Sequence, residues 1–158
     1  MTPEERVFLE SLGSWQEVWR VLQKVGIAYI LTVPIGWESE QEQEATGIRT
    51  FPIVGMASCG YLLAIGTDIA AQSRVLQGLI TGIGFVGAGA ILKERGSVHG
   101  TATAASIWNA GVIGASVAMG HNEIGLLLCL LNVFTLRALL PFKRHMERKK
   151  QPKSKQPT

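Results

Sequence analysis

Gly82-Ile83-Gly84-Phe85-Val86-Gly87 has the spacing G-x-G-x-x-G. In a dinucleotide-binding loop those glycines let the backbone turn tightly against a pyrophosphate. Such a loop needs a strand before it, a soluble helix after it and an acid about 20 residues on. None of these is present. Val75 to Thr81 belongs to the same apolar run, and no Asp or Glu occurs between Glu94 and Glu123. The glycines fit another role. Gly78 and Gly82 form G-x-x-x-G and share a helix face, while Gly84, Gly87 and Gly89 add bare backbone on other faces. Ala102, Ser106, Ala110, Gly114 and Ala118 make a small-residue ridge at i+4 spacing. Lipid gives helices no hydrophobic drive toward one another, so close backbone approach supplies the contact. The expected pairing is therefore this glycine face against that ridge. The alternative is a broken helix whose freed backbone coordinates an ion; packing carries more weight.

The remaining polar candidates are few. Asn109, beside Trp108, lies in the middle of an apolar run and reads either as interhelical glue or as the lining of a polar cavity. Asn132 is a similar case. Thr81, Thr103 and Ser106 can bond their own backbone and are cheap in a membrane helix. Glu38 and Arg49 flank one loop and could pair across it; Asp68 and Arg74 flank another and could pair likewise. Charges at a membrane boundary are a weaker functional flag than charges inside it. Glu38, Glu40, Glu42 and Glu44 could hold Mg²⁺ through water, although a solvated acidic loop explains them as well. His99, His121 and His145 fall on different segments, and no nucleophile–base pair is visible. The expectation is no catalytic residue, no cofactor and no metal-ligand set.

These residues are positioned by apolar helices. The chain has 158 residues, of which 47% are hydrophobic and 17% charged, below the roughly 25% charged of a soluble domain. The mean hydropathy of +0.23 is lowered by polar ends. Charge is missing from Thr50 to Thr67, Val75 to Leu92, Gly96 to Asn122 and Ile124 to Leu136. A spanning helix needs roughly 20 mostly apolar residues. The expected fold is all-α, a polytopic transmembrane bundle with about five spans. Residues 1–20 read as a short interfacial helix, 21–140 as the five-span domain, and 141–158 as a basic disordered tail.

The first span opens on Ser14-Trp15-Gln16-Glu17, a capping box, and ends near Trp37, with Pro34 as a candidate kink. Trp15 and Trp19 suit an interfacial belt. A polar loop follows from Glu38 to Glu44. The later spans run roughly Phe51 to Gly66, Val75 to Leu92, Thr101 to Met119 and Ile124 to Leu140, with Pro141 as a stop. Lys93 to Gly100 reads as a basic turn. Cys59 and Cys129 read as small buried hydrophobes. The formal charge of +3 comes from the tail, where Lys143, Arg144, Arg148, Lys149, Lys150, Lys153 and Lys155 crowd together and could meet anionic headgroups. Nucleic acid is not an expected partner. Counting cations near span ends puts the N-terminus outside and the C-terminus in the cytoplasm. The acidic Thr2-Pro3-Glu4-Glu5 is not the start of a signal peptide.

Three blocks together resemble the MgtC/SapB family of bacterial inner-membrane proteins. Ile35-Gly36-Trp37-Glu38 with Gly47-Ile48-Arg49-Thr50 is similar to "IGxER" and "GLRT". Gly82 to Gly89 with Ile91-Leu92 is similar to "GIGFLGAGxIL". Gly96 to Gly100 with Thr103 to Trp108 is similar to "GSVRGLTTAAxLW". Ser39 stands where the family has arginine, Gly78 where it usually has glutamine, and His99 where arginine is common. Thr101-Ala102 replaces "LT". The resemblance implies five spans, a role in adaptation to low magnesium, acid or phosphate stress, and action on other membrane machinery such as the proton-translocating ATP synthase. The leading expectation is a non-enzymatic regulator whose partner or self-association surface is formed by the small-residue faces of spans three and four, where Gly82→Leu or Ala110→Leu would block contact with a partner or a second copy. The rival expectation is a small oligomeric transporter or channel for Mg²⁺ or another cation, using Glu38, Asn109 and Asp68.

Overall fold

The computed structural model describes residues 15–41, 48–94 and 97–150. Five helices build them: α1 (Trp15–Gln41), α2 (Thr50–Ile65), α3 (Ile69–Gly89), α4 (Thr101–Ala118) and α5 (Asn122–Lys150). A short antiparallel hairpin, β1 (Leu92–Glu94) with β2 (Ser97–His99), joins α3 to α4, with Leu92 opposite His99. The fold is an all-α bundle. The candidate interfacial helix before Trp15 lies outside the described residues.

α4 is the central helix and packs against each of the other four. Thr103, Ser106, Ala110, Ile113 and Val117 are buried on its several sides, as expected of a helix enclosed all round. Small residues allow this. A Cβ at Gly114 would collide with the carbonyl oxygen of Gly55 on α2. A Cβ at Gly55 would in turn come within 2.8 Å of Thr32 Cγ2 on α1. Three helices therefore converge at one level because two residues there have no side chain. Around this point Ile35, Phe51, Ile107 and Ile113 form a core with Cys129 and Leu136, while Ala28, Cys59, Leu62 and Val117 form a second. Both cysteines are free and buried.

Trp15–Ser39, Ile69–Gly89 and Asn122–Pro141 are long and apolar enough to cross a membrane, and Thr50–Ile65 is a shorter apolar helix. Ile30, Phe85, Leu127, Leu130 and Phe134 are exposed, an apolar exterior that a bilayer would cover.

The element ends differ from the sequence expectations for local reasons. α1 does not stop at Trp37 but continues to Gln41, so Glu38 and Ser39 sit on a helix, both buried. It also continues through Pro34. α3 begins at Ile69, inside the expected connection, because the Asp68 carboxylate accepts from Ala70 N at 2.9 Å and Ala71 N at 3.2 Å, the N-cap arrangement that starts a helix. The Lys93–Gly100 turn is instead the hairpin, and Gly100 leaves it at φ +82°, a left-handed conformation that suits glycine. Pro141 does not end α5, which reaches Lys150, so residues 141–150 are helical rather than part of a disordered tail. The proline removes only the bond to the Arg137 carbonyl, and both residues are exposed, so water can replace it.

Candidate functional site

The sequence candidates fall into three groups. The first lies where α1 ends beside α5. Glu38 does not pair with Arg49. Its carboxylate accepts from Arg137 Nε at 2.9 Å. Helix α1 carries Glu38 one turn further than a loop would, into reach of α5. The Glu38 side chain is only 9% exposed and that of Arg137 66%, so the carboxylate is enclosed and the cation is at the rim. Next to it in sequence, the buried Ser39 hydroxyl has no hydrogen-bond partner among the described residues. Arg49 is exposed just before α2 and makes no ion pair among the described residues. The side chains of residues 40–47, including the acids Glu40, Glu42 and Glu44, lie outside the described residues.

The second group is a polar seam between α4 and α5. Asn109 Nδ2 donates to the Leu128 carbonyl at 3.3 Å, and Ser106 Oγ donates to Asn132 Oδ1 at 3.0 Å. Both asparagines thus join helices, and Ser106 bonds a neighbour rather than its own backbone. Thr103 is buried near the start of α4, and Trp108 is exposed on it. Thr81 bonds its own helix through the Gln77 carbonyl at 3.0 Å, as a threonine in an apolar helix commonly does.

The third group is the glycine face, and here the expected pairing is corrected. The α4 ridge does not meet Gly78 and Gly82. Ser106, Ala110 and Gly114 are buried toward α2, α5 and the central core, and Ala102 is exposed. Of the α3 glycines, only Gly87 closes on α4, where an added Cβ would lie 3.1 Å from the Ala104 carbonyl oxygen. Gly78, Gly82, Gly84 and Gly89 would meet nothing within 4 Å. Gly111 of α4 makes room for the Ile83 side chain instead. The reason is geometric: α4 can bring its barest point, Gly114, against only one neighbour, and α2 occupies it with Gly55. Gly78 and Gly82 line an open groove of about 580 Å³ between α2 and α3, and Arg74 lies on its lining. Arg74 does not pair with Asp68, whose carboxylate is engaged as the helix cap.

Two features escaped the sequence reading. Lys24 Nζ donates to the Ala118 carbonyl at 2.6 Å, capping α4 where its last carbonyls lack partners. The other is Arg137, a lone cation closing a charge-free run, which was a usable signal. His121 approaches Glu123 at 3.4 Å on the surface. Among the described residues, no three His, Cys, Asp or Glu gather as a metal-binding group would.

The MgtC family model matches residues 25–145, which include the Glu38 pair, the asparagine seam and the glycine helix. The chain belongs to the MgtC family. It is 34% identical over 134 residues to Protein SrpB of Synechococcus elongatus, covering 75% of this chain and 72% of that one. It is 31% identical over 113 residues to the Putative magnesium transporter YhiD of Escherichia coli, covering 63% of this chain and 51% of YhiD. Protein MgtC of Salmonella typhimurium is 33% identical over 95 residues, 60% of this chain and 41% of that protein. The chain thus matches about half of YhiD and less of MgtC. No solved structure matches. Family and apolar helices together make this a membrane protein.

Proposed function

We propose that this MgtC-family protein is a non-enzymatic regulator in the bacterial inner membrane, acting by contact with other membrane proteins inside the bilayer during magnesium, acid or phosphate stress. The observation that carries this reading is the position of α3. Its apolar length is left unburied by the rest of the chain, and Gly84 and Gly89 on it have open space around them. A bare helix at the edge of a bundle suits contact with another spanning helix. Ser106, Ala110 and Gly114 of the α4 ridge are buried, so the proposed contact surface is the exposed side of α3. Five crossings, with the N-terminus outside and the C-terminus cytoplasmic, fit the cation distribution. The contacts Lys24–Ala118 and Glu38–Arg137, about 21 Å apart along α1 at ~1.5 Å per residue, fit the same alternation. Proton-translocating ATP synthase is the partner that family resemblance suggests, and a second copy is the other. The test is co-purification of the tagged chain with ATP synthase from native membranes, for wild type, Gly84→Leu and Gly89→Leu. Loss of the complex in the variants supports the reading; a wild type that captures neither ATP synthase nor itself overturns it.

The likeness to the Putative magnesium transporter YhiD favours a second reading, passage of Mg²⁺. Against it, Glu38, Asp68 and Asn109 are each already bonded, at separate places. Liposomes holding the purified chain decide: Mg²⁺ flux that requires Asn109 supports transport.

A further inference from the structure

The groove between α2 and α3 has a graded lining. Tyr61 of α2 and Arg74 of α3 lie toward the end where the two helices connect, and Arg74 is its one charged residue. Ser58 is next along α2, and beyond it the walls are apolar, with Val54, Gly82 and Val86 among them. Ser58 is otherwise enclosed, at only 1% exposed, yet it lines the groove, and a serine hydroxyl there can donate to a carbonyl.

We propose that the groove holds one anionic phospholipid of the surrounding bilayer. Arg74 takes the phosphate, for which a guanidinium fork is well shaped. Ser58 donates to a glycerol ester carbonyl, lying ~4.5 Å deeper than Tyr61 at ~1.5 Å per residue. One acyl chain follows the slot left by Gly78 and Gly82. The order of cation, hydroxyl and apolar wall matches the order of phosphate, ester and chain in a lipid. The volume of about 580 Å³ is that of a small-molecule site, whereas a helix is roughly 10 Å across. Gly84 lies ~200° round α3 from Gly82, whereas Gly89 lies within ~20° of it but two turns further along, so it is Gly84→Leu that separates this site from the proposed protein contact, and either can fail alone.

The test is native mass spectrometry of the full chain in detergent, with equal amounts of phosphatidylglycerol and phosphatidylcholine added. Wild type should retain one phosphatidylglycerol per chain, with about a tenfold preference, corresponding to ~1.4 kcal/mol. Arg74→Gln should remove the preference. Ser58→Ala should lower retention of both lipids several-fold. Gly82→Leu should abolish retention by filling the slot, with no internal clash because nothing lies within 4 Å. Gly84→Leu should behave as wild type. Helix content by circular dichroism identifies any variant that fails to fold, in which case the remaining variants decide. Equal retention of the two lipids by wild type, or retention unchanged by both Arg74→Gln and Gly82→Leu, overturns the proposal. So does a lipid-free dimer that Gly82→Leu dissolves, which assigns the groove to a second copy.

Discussion

Arg137 Nε donates to the Glu38 carboxylate at 2.9 Å across 99 residues of sequence, tying α1 to α5. The pair is uneven, with an enclosed carboxylate and an exposed guanidinium. Removing the arginine leaves a buried charge uncompensated, whereas removing the glutamate releases the arginine to water. Arg137→Ala is therefore expected to destabilise by about 2 kcal/mol, in the range of hydrogen bonds to charged groups. Glu38→Gln should cost less, and the double variant less than the sum. Denaturant titration in micelles, followed by circular dichroism, gives all three values. Additive costs would mean that the two residues do not interact.

The family pattern has an arginine where this chain has Ser39, and the hydroxyl there is buried with no hydrogen-bond partner among the described residues. Ser39→Ala removes a buried polar atom that bonds to nothing among the described residues and is expected to be neutral or stabilising by up to ~1 kcal/mol. A loss of more than ~1 kcal/mol in the same titration would show that the hydroxyl is engaged.

Glycine sites should separate sharply by what surrounds them. Gly114→Val puts carbon into the Gly55 carbonyl and should cost about 3 kcal/mol or more. Gly82→Val places its Cβ in open space, and valine ranks above glycine in helix propensity, so it should be neutral or slightly stabilising. Thermal unfolding in detergent orders the two. A Gly114→Val protein as stable as wild type would contradict the three-helix convergence.

Much of this was legible in the sequence. Charge-free runs marked the helices, and small residues marked α4 as a helix approached closely. The partner of that ridge was not legible, because i+4 spacing gives a face but not its direction. Gly55, the residue that meets it, stands alone in an apolar run without any i+4 pattern. The Glu38 pairing was missed because a nearby cation, Arg49, was preferred to a distant one, and the extra turn of α1 changed which was in reach. Pro141 and Asp68 show the converse: single residues with strong local rules, one overridden where water can satisfy the backbone, one decisive as a cap.

Lys24 closes the far end of the bundle through the Ala118 carbonyl. Helix α4 ends there with His121 N bonding the Ser116 carbonyl and Gly120 N the Val117 carbonyl, the Schellman arrangement. The Ala118 carbonyl is left for the ammonium, which also favours the negative end of the helix dipole. Lys24→Met keeps the apolar stem and removes the charge, so it should cost about 1–2 kcal/mol. Hydrogen exchange should rise at the amides of the last turn of α4 and not at the Glu38 end. A uniform rise would mean that Lys24 stabilises the bundle generally rather than capping one helix.

Asn109 separates glue from function. A hydrogen bond between membrane helices averages ~0.6 kcal/mol and reaches ~1.7, and the Asn109 bond to Leu128, at 3.3 Å, is long. Ser106–Asn132 is the shorter bond in the same seam. If both serve only to join α4 to α5, Asn109→Ala and Ser106→Ala should each cost ~0.5–1.5 kcal/mol, and partner capture should fall only as far as stability does. A larger loss of capture in Asn109→Ala than in Ser106→Ala, at matched stability, would place Asn109 in the partner contact. Denaturant titration alongside co-purification, on the same two preparations, gives both quantities. The comparison holds because both residues lie on one helix and bond the same neighbour, so a general loosening of the seam would affect them alike.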